Sequence, residues 1–267
     1  MPTLVLVRHG RTTANVSGTL AGWTPGVHLD ERGNEQAAAV AQRLAGVGLA
    51  RIVTSPLERC TETAAAIAAV PGPPARRNGS AASRPAPEVD ERWGECRYGE
   101  WTGRSLSTLV RDPLWRVVQA HASAVTFPGG ESLRAVQARA VDAARSMDAE
   151  VARDHGDGAV WVAVSHGDVI KALLADALGM HLDEFQRIVV DPASVSVVRY
   201  TDLRPFVLRV NDIGGDLAGL APPARGRRSR AKRAGSDAVV GGGSGASDAT
   251  PADATPAGAA PTGAEPT

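Results

Sequence analysis

Short apolar runs alternate with stretches of helical periodicity along most of this 267-residue chain. The apolar runs predict five strands, over residues 5–7, 51–54, 160–164, 195–200 and 206–210. Apolar positions three or four residues apart predict five main helices, over residues 31–44, 57–70, 106–119, 132–154 and 169–178. This alternation favours an α/β fold, a three-layer α/β/α sandwich with a mostly parallel sheet. The last two strands are joined by a short turn, which favours an antiparallel edge.

The helix predicted over residues 57–70 starts with residues that are typical of a helix N-terminus. Ser55 is the expected N-cap, Pro56 takes the first helical position, and Glu58 follows Ser55 by three residues, as in a capping box. We therefore expect Ser55 to cap this helix.

The chain changes character beyond about Leu220. A basic run over residues 225–233 precedes a segment of small and polar residues without an aromatic side chain. Such a segment cannot bury enough apolar surface to offset its ordering entropy, so we predict one folded domain over 1–216 and a disordered tail over 217–267. The basic run could bind nucleic acid or anionic lipid, but a solvated tail is favoured because no aromatic residue accompanies the charges. Removing the tail should leave the melting temperature and turnover nearly unchanged.

The charge balance and the cysteines exclude several classes of protein. Lys plus Arg and Asp plus Glu each number 29, so the formal net charge is zero. This argues against nucleic acid or an anionic membrane as a partner of the whole protein. Cys60 and Cys96 form no Cys-x-x-Cys pair, so neither a zinc site nor a disulfide framework is indicated. The sequence shows no signal-peptide pattern and no apolar run long enough to span a membrane, so we expect a cytoplasmic protein.

Two predicted strands end in a histidine that stands before a glycine. Arg8 and His9 come directly after the first strand, and His166 comes directly after the third. Ligands bind at the carboxyl ends of strands in open α/β sheets, so we expect one site that also includes Arg59 from the turn after the second strand. Imidazole can accept a phosphoryl group and guanidinium groups can hold its oxygens, which indicates an anionic, phosphorylated substrate. With four potentially cationic groups we expect neither a metal nor a cofactor.

These residues belong to five longer motifs. In chain order the motifs are Arg8-His9-Gly10-Arg11-Thr12 with Asn15, Ser55-Pro56-Leu57-Glu58-Arg59-Cys60-Thr61-Glu62-Thr63-Ala64, Glu95 with Tyr98-Gly99-Glu100-Trp101-Thr102-Gly103, Phe127-Pro128-Gly129-Gly130-Glu131-Ser132, and Val164-Ser165-His166-Gly167. Together they resemble the histidine phosphatase superfamily, also called the phosphoglycerate mutase-like family. The resemblance extends from about Thr3 to Val210, and five motifs in the expected order are a far stronger signal than one.

The resemblance implies a role for each matched residue. His9 would be the nucleophile, and Glu95 would protonate the departing oxygen and then activate water. The implied substrate contacts are Arg8, Asn15, Gly22, Arg59, His166 and Gly167. The implied function is a metal-independent, acid-phosphatase-like phosphomonoesterase that acts on a small-molecule phosphomonoester through a phosphohistidine. Residues 1–216 would be its catalytic domain.

Several alternatives stay open at this point. Phosphoglycerate mutases of the family use the same catalytic groups, although residues 95–105 resemble the hydrolase branch. A phospho-ligand-binding module with little turnover is a further alternative. Glu91 and Glu100 compete with Glu95 for the role of acid. Arg11 stands where the family usually has Glu or Gln, and this departure bears on substrate choice, which stays open together with the oligomeric state, a homo-oligomer included.

Overall fold

The structure is a computed structural model, and it describes residues 1–74, 83–215 and 241. Six strands form one sheet: β1 (Thr3–Arg8), β2 (Leu49–Thr54), β3 (Glu88–Val89), β4 (Val160–Ser165), β5 (Val195–Arg199) and β6 (Phe206–Asp212). The α-helices are α1 (Thr13–Ser17), α2 (Glu31–Arg43), α3 (Glu58–Ala69), α4 (Leu106–Leu109), α5 (Pro113–Ala120), α6 (Leu133–His155) and α7 (Gly167–Ala177). Short 3₁₀-helices lie at Glu91–Trp93, Gly99–Trp101, Ala122–Ala124 and Leu182–Arg187.

The strand order in the sheet is β3-β2-β4-β1-β5-β6. Strands β3, β2, β4 and β1 run parallel to one another. Strand β5 pairs with β1 in the antiparallel sense, and β6 pairs with β5 in the same sense. The mostly parallel sheet with an antiparallel edge is therefore confirmed.

Helices cover both faces of the central strands. Along β1, Leu4 and Leu6 pack in a hydrophobic cluster with residues of α6 and α7, whereas Val5 and Val7 pack in a second cluster with residues of α2 and α3. Side chains alternate between the faces of a strand, so a strand that is buried on both faces has an uninterrupted apolar sequence. This explains the run at the start of the chain and confirms the three-layer sandwich.

The helix predicted over residues 106–119 is two helices in the structure, α4 and α5. Pro113 is the first residue of α5, and the Asp112 side chain accepts a hydrogen bond from the Leu114 amide at 3.0 Å. A residue before proline is disfavoured in the helical conformation, and Asp112 is extended, with φ −71° and ψ 133°. The prediction of one continuous helix is therefore wrong. It arose because the apolar positions keep a helical spacing on both sides of the break at Asp112.

The predicted capping box of α3 is also wrong. The N-cap residue is Leu57, and no side chain caps the helix. The Ser55 hydroxyl instead lies 2.8 Å from Nε2 of His166. The Ser55 hydroxyl, which the local pattern assigned to the N-terminus of α3, therefore takes part in a tertiary contact with His166.

The predicted tail lies outside the described residues, apart from Gly241. The disorder predicted for 217–267, the boundary at residue 216 and the basic run over 225–233 therefore stay predictions. Within the part of the chain that the structure describes, no helix is both long and apolar enough to cross a membrane.

Candidate active site

The two histidines lie side by side because their strands are neighbours in the sheet. Arg8 at the end of β1 pairs with Ser165 at the end of β4. The next residues, His9 and His166, have ring centroids 5.3 Å apart and planes inclined by 60°. The backbone amide of His9 also donates to the Ser165 carbonyl at 3.0 Å. The predicted convergence of the two imidazoles is present in the structure.

His9 is a buried, neutral imidazole with one nitrogen directed by the backbone. Its Nδ1 lies 2.7 Å from the Gly10 carbonyl oxygen, which can only accept, so Nδ1 carries the proton and Nε2 carries the lone pair. Burial, followed by the charges of Arg59 and Arg8, holds the pKa of His9 well below its usual range. A neutral ring with a free Nε2 lone pair is the state that a nucleophile requires.

Gly10 permits this arrangement because a neighbouring backbone passes directly over it. A Cβ atom at this position would lie 2.5 Å from the Gly33 carbonyl oxygen at the start of α2. The Gly10 amide donates to the Thr63 hydroxyl at 3.1 Å, which ties the turn after His9 to α3. Any other residue here would push the loop off the helices that fix it.

His166 is held by groups on both sides of its ring. Its Nε2 lies 2.8 Å from the Ser55 hydroxyl and 3.4 Å from the Cys60 thiol. Its Nδ1 lies 3.8 Å from Oε2 of Glu95, which is too long for a direct hydrogen bond. Burial, followed by the positive charge of Arg59, lowers the pKa of His166 well below its usual range.

Two buried guanidinium groups stand beside the histidines. Arg59, in the first turn of α3, is only 2% exposed, and its Nη2 donates to the Gly22 carbonyl at 2.9 Å. Its Nη1 has no hydrogen-bond partner among the described residues. Arg8 is fully buried and donates from Nη1 to the Val190 carbonyl at 2.8 Å. A buried guanidinium nitrogen without an acceptor is costly unless a ligand supplies one, and phosphate oxygens do so well.

Glu95 is the glutamate that the structure brings to the histidines. It is 4% exposed, whereas the competing residues Glu91 and Glu100 are exposed. Its Oε1 accepts a hydrogen bond from the Cys96 amide at 2.9 Å, and Oε2 faces His166. Burial, followed by the negative charge of Asp168, raises the pKa of Glu95 to about 7. A carboxyl group with this pKa can give and take a proton near neutral pH.

The backbone of Glu95 is fixed by side chains that the sequence did not single out. Its carbonyl oxygen accepts a hydrogen bond from Nε1 of Trp23 at 2.6 Å and another from Nη2 of Arg139 at 3.1 Å. Arg139 also donates to the Gly94 carbonyl at 2.8 Å. The irregular segment that carries Glu95 is therefore anchored to the Gly22 loop and to helix α6.

Asp168 is a second buried carboxylate near the site, and none of the sequence motifs assigns it a role. It is 1% exposed, and its Oδ2 accepts a hydrogen bond from the Tyr98 hydroxyl at 2.7 Å. Its Oδ1 is buried and has no partner among the described residues. The signal that could have identified it is its position, directly after the His166–Gly167 pair at the start of α7.

The remaining predicted contacts have clear structural uses. Oδ1 of Asn15 accepts hydrogen bonds from the Thr12 amide and the Thr12 hydroxyl, both at 3.0 Å, which closes the capping box of α1. Gly22 has φ +52° and supplies the carbonyl that holds Arg59, and Gly167 begins α7. The roles of Asn15, Gly22 and Gly167 in substrate binding stay predictions.

A comparison with known families decides the class of this site. Residues 4–213 match the family described as histidine phosphatase superfamily (branch 1). The chain belongs to the histidine phosphatase superfamily. It is a phosphomonoesterase whose reaction passes through a phosphohistidine.

Relatives with stated activities match most of this chain. The chain is 31% identical over 215 residues to phosphoserine phosphatase 1 of Hydrogenobacter thermophilus, covering 79% of this chain and 92% of that protein. It is 30% identical over 188 residues to glucosyl-3-phosphoglycerate phosphatase of Mycolicibacterium vanbaalenii, covering 68% and 76%. The fold matches mycobacterial glucosyl-3-phosphoglycerate phosphatase Rv2419c in a complex with VO3, with a TM-score of 0.64, 27% identity and coverage of 79% and 98%.

The described residues contain no cluster of three or more His, Cys, Asp or Glu side chains that could hold a metal ion. The groups beside the histidines are guanidinium ions, a hydroxyl, a thiol and one carboxyl group. These are suited to holding an anion and moving a proton.

Proposed function

We propose that His9, Arg8, Arg59, His166 and Glu95 carry out the phosphatase reaction in the following roles. The Nε2 lone pair of His9 attacks phosphorus, and the ester P–O bond breaks as the N–P bond forms. The electron pair goes to the departing oxygen, which takes a proton from the Glu95 carboxyl group and leaves as an alcohol. The products of this step are a phosphohistidine and a Glu95 carboxylate.

The second step reverses the role of Glu95. Its carboxylate takes a proton from a water molecule whose oxygen attacks phosphorus, and the N–P bond breaks with its electron pair returning to Nε2 of His9. Inorganic phosphate leaves and Glu95 is protonated again. A pKa near 7 suits both steps, since each form of the carboxyl group is populated at neutral pH.

The two arginines and His166 would stabilise the charge that develops on the phosphoryl oxygens. The arginines keep their positive charge in both steps, and they are fixed in advance by the Gly22 and Val190 carbonyls. The unused Nη1 of Arg59 supports a direct contact with a phosphoryl oxygen. In other phosphatases a metal ion supplies the positive charge that stabilises the phosphoryl oxygens. Here the two arginines supply that charge, so we propose a metal-independent reaction.

The observation that carries this proposal is the 5.3 Å separation of the two buried imidazole rings beside Glu95. The test is phosphate release from p-nitrophenyl phosphate in the presence and absence of EDTA. We expect equal rates with and without the chelator. Loss of activity with EDTA would contradict the metal-independent reaction, and isomerisation of 3-phosphoglycerate at a rate above its hydrolysis would favour a mutase.

We further propose that the substrate is a small phosphomonoester that carries a carboxylate. The Arg97 guanidinium carbon lies 3.9 Å from the centroid of the Trp23 ring, and the indole of Trp23 donates to the Glu95 carbonyl. The Arg97 side chain is 54% exposed, and its ion pair with Glu91 at 3.5 Å is solvent-exposed and therefore weak. The Arg97 guanidinium group therefore lies beside the segment that carries Glu95, where it can bind an anionic group of the substrate.

The names of two relatives support this substrate class, since phosphoserine and glucosyl-3-phosphoglycerate both carry a carboxylate. The test compares kcat/KM for phosphoserine with that for phosphoethanolamine, which lacks only the carboxylate. We expect a preference of about tenfold for phosphoserine, reduced to near unity in Arg97→Ala. The matched control, Arg111→Ala on an exposed turn, should keep the preference. Equal rates for the two substrates in the wild type would contradict this assignment.

A further inference from the structure

One residue far along the chain touches the candidate active site. The Gly241 carbonyl accepts a hydrogen bond from Nη2 of Arg8 at 3.3 Å. The Gly241 amide donates to Oδ2 of Asp168 at 2.9 Å. The two side chains thus bind both polar groups of one residue's main chain. Asp168 and Arg8 are 1% and 0% exposed.

The conformation at this position favours glycine. A Cβ atom on Gly241 would lie 2.9 Å from Cδ1 of Leu20 and 3.8 Å from the Tyr98 hydroxyl. The residue also has φ +77°, which L side chains rarely adopt. The sequence places two further glycines directly after it, at positions 242 and 243. The backbone conformation therefore favours a glycine here, and the chain has one.

We propose that Arg8 and Asp168 form a binding site for polypeptide main chain, and that Gly241 of the same chain occupies it and competes with the phosphoryl group of the substrate. A peptide carbonyl oxygen carries partial negative charge, so at Arg8 it takes the place of a phosphoryl oxygen. The competition rests on the proposed function in one respect, the assignment of Arg8 as a phosphate ligand.

Asp168 gives the site its preference for an amide. Its carboxylate accepts from the Tyr98 hydroxyl and the Gly241 amide through the same oxygen, Oδ2. A phosphate dianion has no proton to donate there, whereas a peptide group offers a donor and an acceptor together. The pair of Arg8 and Asp168 therefore matches a peptide group better than a bare anion.

Occupation in cis reduces the apparent affinity for phosphate without altering the catalytic groups. When Gly241 fills the site for most of the time, the apparent affinity for phosphate is the intrinsic affinity multiplied by the fraction of molecules in which the site is empty. Gly241 thus acts as a tethered competitive inhibitor, which departs from the sequence expectation that removal of the tail leaves turnover nearly unchanged. At saturating substrate the rate stays the same, and at low substrate the rate rises when the tail is displaced.

The first test measures the contact itself, without phosphate or catalysis. Amide exchange with deuterium in the full-length wild-type chain, read by NMR, should be at least about tenfold slower at Gly241 than at Gly258, because an amide that donates a hydrogen bond to a buried carboxylate is protected. Asp168→Asn, which weakens the acceptor, should reduce that protection. Equal exchange at Gly241 and Gly258 in the wild type would overturn the proposal whatever the chain's activity.

The second test measures the competition. Calorimetric titration of the full-length chain with inorganic phosphate should give a Kd about fivefold to tenfold lower in Gly241→Leu than in the wild type, while the matched control Gly258→Leu keeps the wild-type Kd. The KM for p-nitrophenyl phosphate should fall by the same factor in Gly241→Leu, with kcat unchanged. Addition of a peptide of residues 236–246 should restore the weaker phosphate binding of the wild type.

The outcomes separate this inference from the proposed reaction. Tighter phosphate binding in Gly241→Leu in a chain that hydrolyses no ester would retain the main-chain site and refute the proposed roles. Hydrolysis with an identical phosphate Kd in the wild type, Gly241→Leu and Gly258→Leu would retain the reaction and overturn the competition. Equally tighter binding in both variants would also overturn it, because the effect would not be specific to Gly241.

Discussion

The ends of β1 and β4 present the same sequence pattern in two different surroundings. Each strand leads into a histidine and then a glycine, and both rings are buried. His9 donates from Nδ1 to the Gly10 carbonyl, so its Nε2 carries the lone pair. His166 has Nε2 against Ser55 and Nδ1 towards Glu95. The same local pattern therefore gives two differently held rings, and we assign His9 the proposed role of nucleophile and His166 that of phosphate ligand according to what packs against each ring.

The largest expected effect comes from replacing His9, the histidine that we propose as the nucleophile. His9→Ala removes the attacking nitrogen, and we expect turnover of p-nitrophenyl phosphate to fall at least about 1,000-fold. Acid-quenched wild-type enzyme should carry acid-labile phosphate, and His9→Ala should carry none. His166→Ala should still carry phosphate, because the acceptor remains. The reverse pattern of labelling would exchange the roles of the two histidines.

The next effect concerns the carboxyl group beside His166. Glu95→Gln cannot donate a proton, and we expect a fall of about 100-fold to 1,000-fold in kcat for alkyl phosphates. In the wild type, kcat/KM should decline as pH rises through about 7, since the protonated acid is then lost. This decline should be absent in Glu95→Gln. Glu100→Gln, an exposed neighbour, is the control and should behave as the wild type.

A smaller effect tests what fixes His166. Ser55→Ala deletes the hydroxyl that lies 2.8 Å from Nε2 of His166. One hydrogen bond contributes about 1 kcal/mol, so we expect kcat/KM to fall about fivefold, with acid-labile phosphate still formed on His9. Ser107→Ala, at an exposed position, should have no effect. An unchanged rate in Ser55→Ala would show that packing alone orients the His166 ring.

The smallest expected effect is a shift in pH dependence rather than a loss of rate. The negative charge of Asp168 disfavours a second carboxylate nearby, and it raises the pKa of Glu95. Asp168→Asn removes this charge, so the pKa of Glu95 falls and the alkaline decline of kcat/KM should move to lower pH. Asp176→Asn, on the same helix, is the control. A shift to higher pH would contradict the coupling between the two carboxyl groups.

Sequence patterns were sufficient where the chemistry follows strand order. The carboxyl ends of parallel strands lie at one edge of a sheet, so the sequence alone predicts that Arg8, His9 and His166 lie close together. The same reasoning placed Arg59 after β2. These predictions needed only the strands and the direction of the chain.

Patterns were insufficient where a residue's role depends on burial or on a distant partner. Glu95 is buried, whereas Glu91 and Glu100 are exposed. The three glutamates lie in an irregular segment, so no periodicity in the sequence reveals which of them is buried. Ser55 had a good local pattern and a better tertiary partner in His166. Asp168 accepts a hydrogen bond from Tyr98, which lies 70 positions away in the chain, so no local pattern reveals this contact.

The position of Cys60 has a practical consequence for following the stability of this enzyme. Burial raises the pKa of its thiol to about 12 and raises that of Cys96 well above its usual range, so neither is a thiolate at neutral pH in the native state. Alkylating reagents will modify them only when the surrounding core opens. The rate at which iodoacetamide labels the natural sequence therefore measures global unfolding, with no engineered probe required.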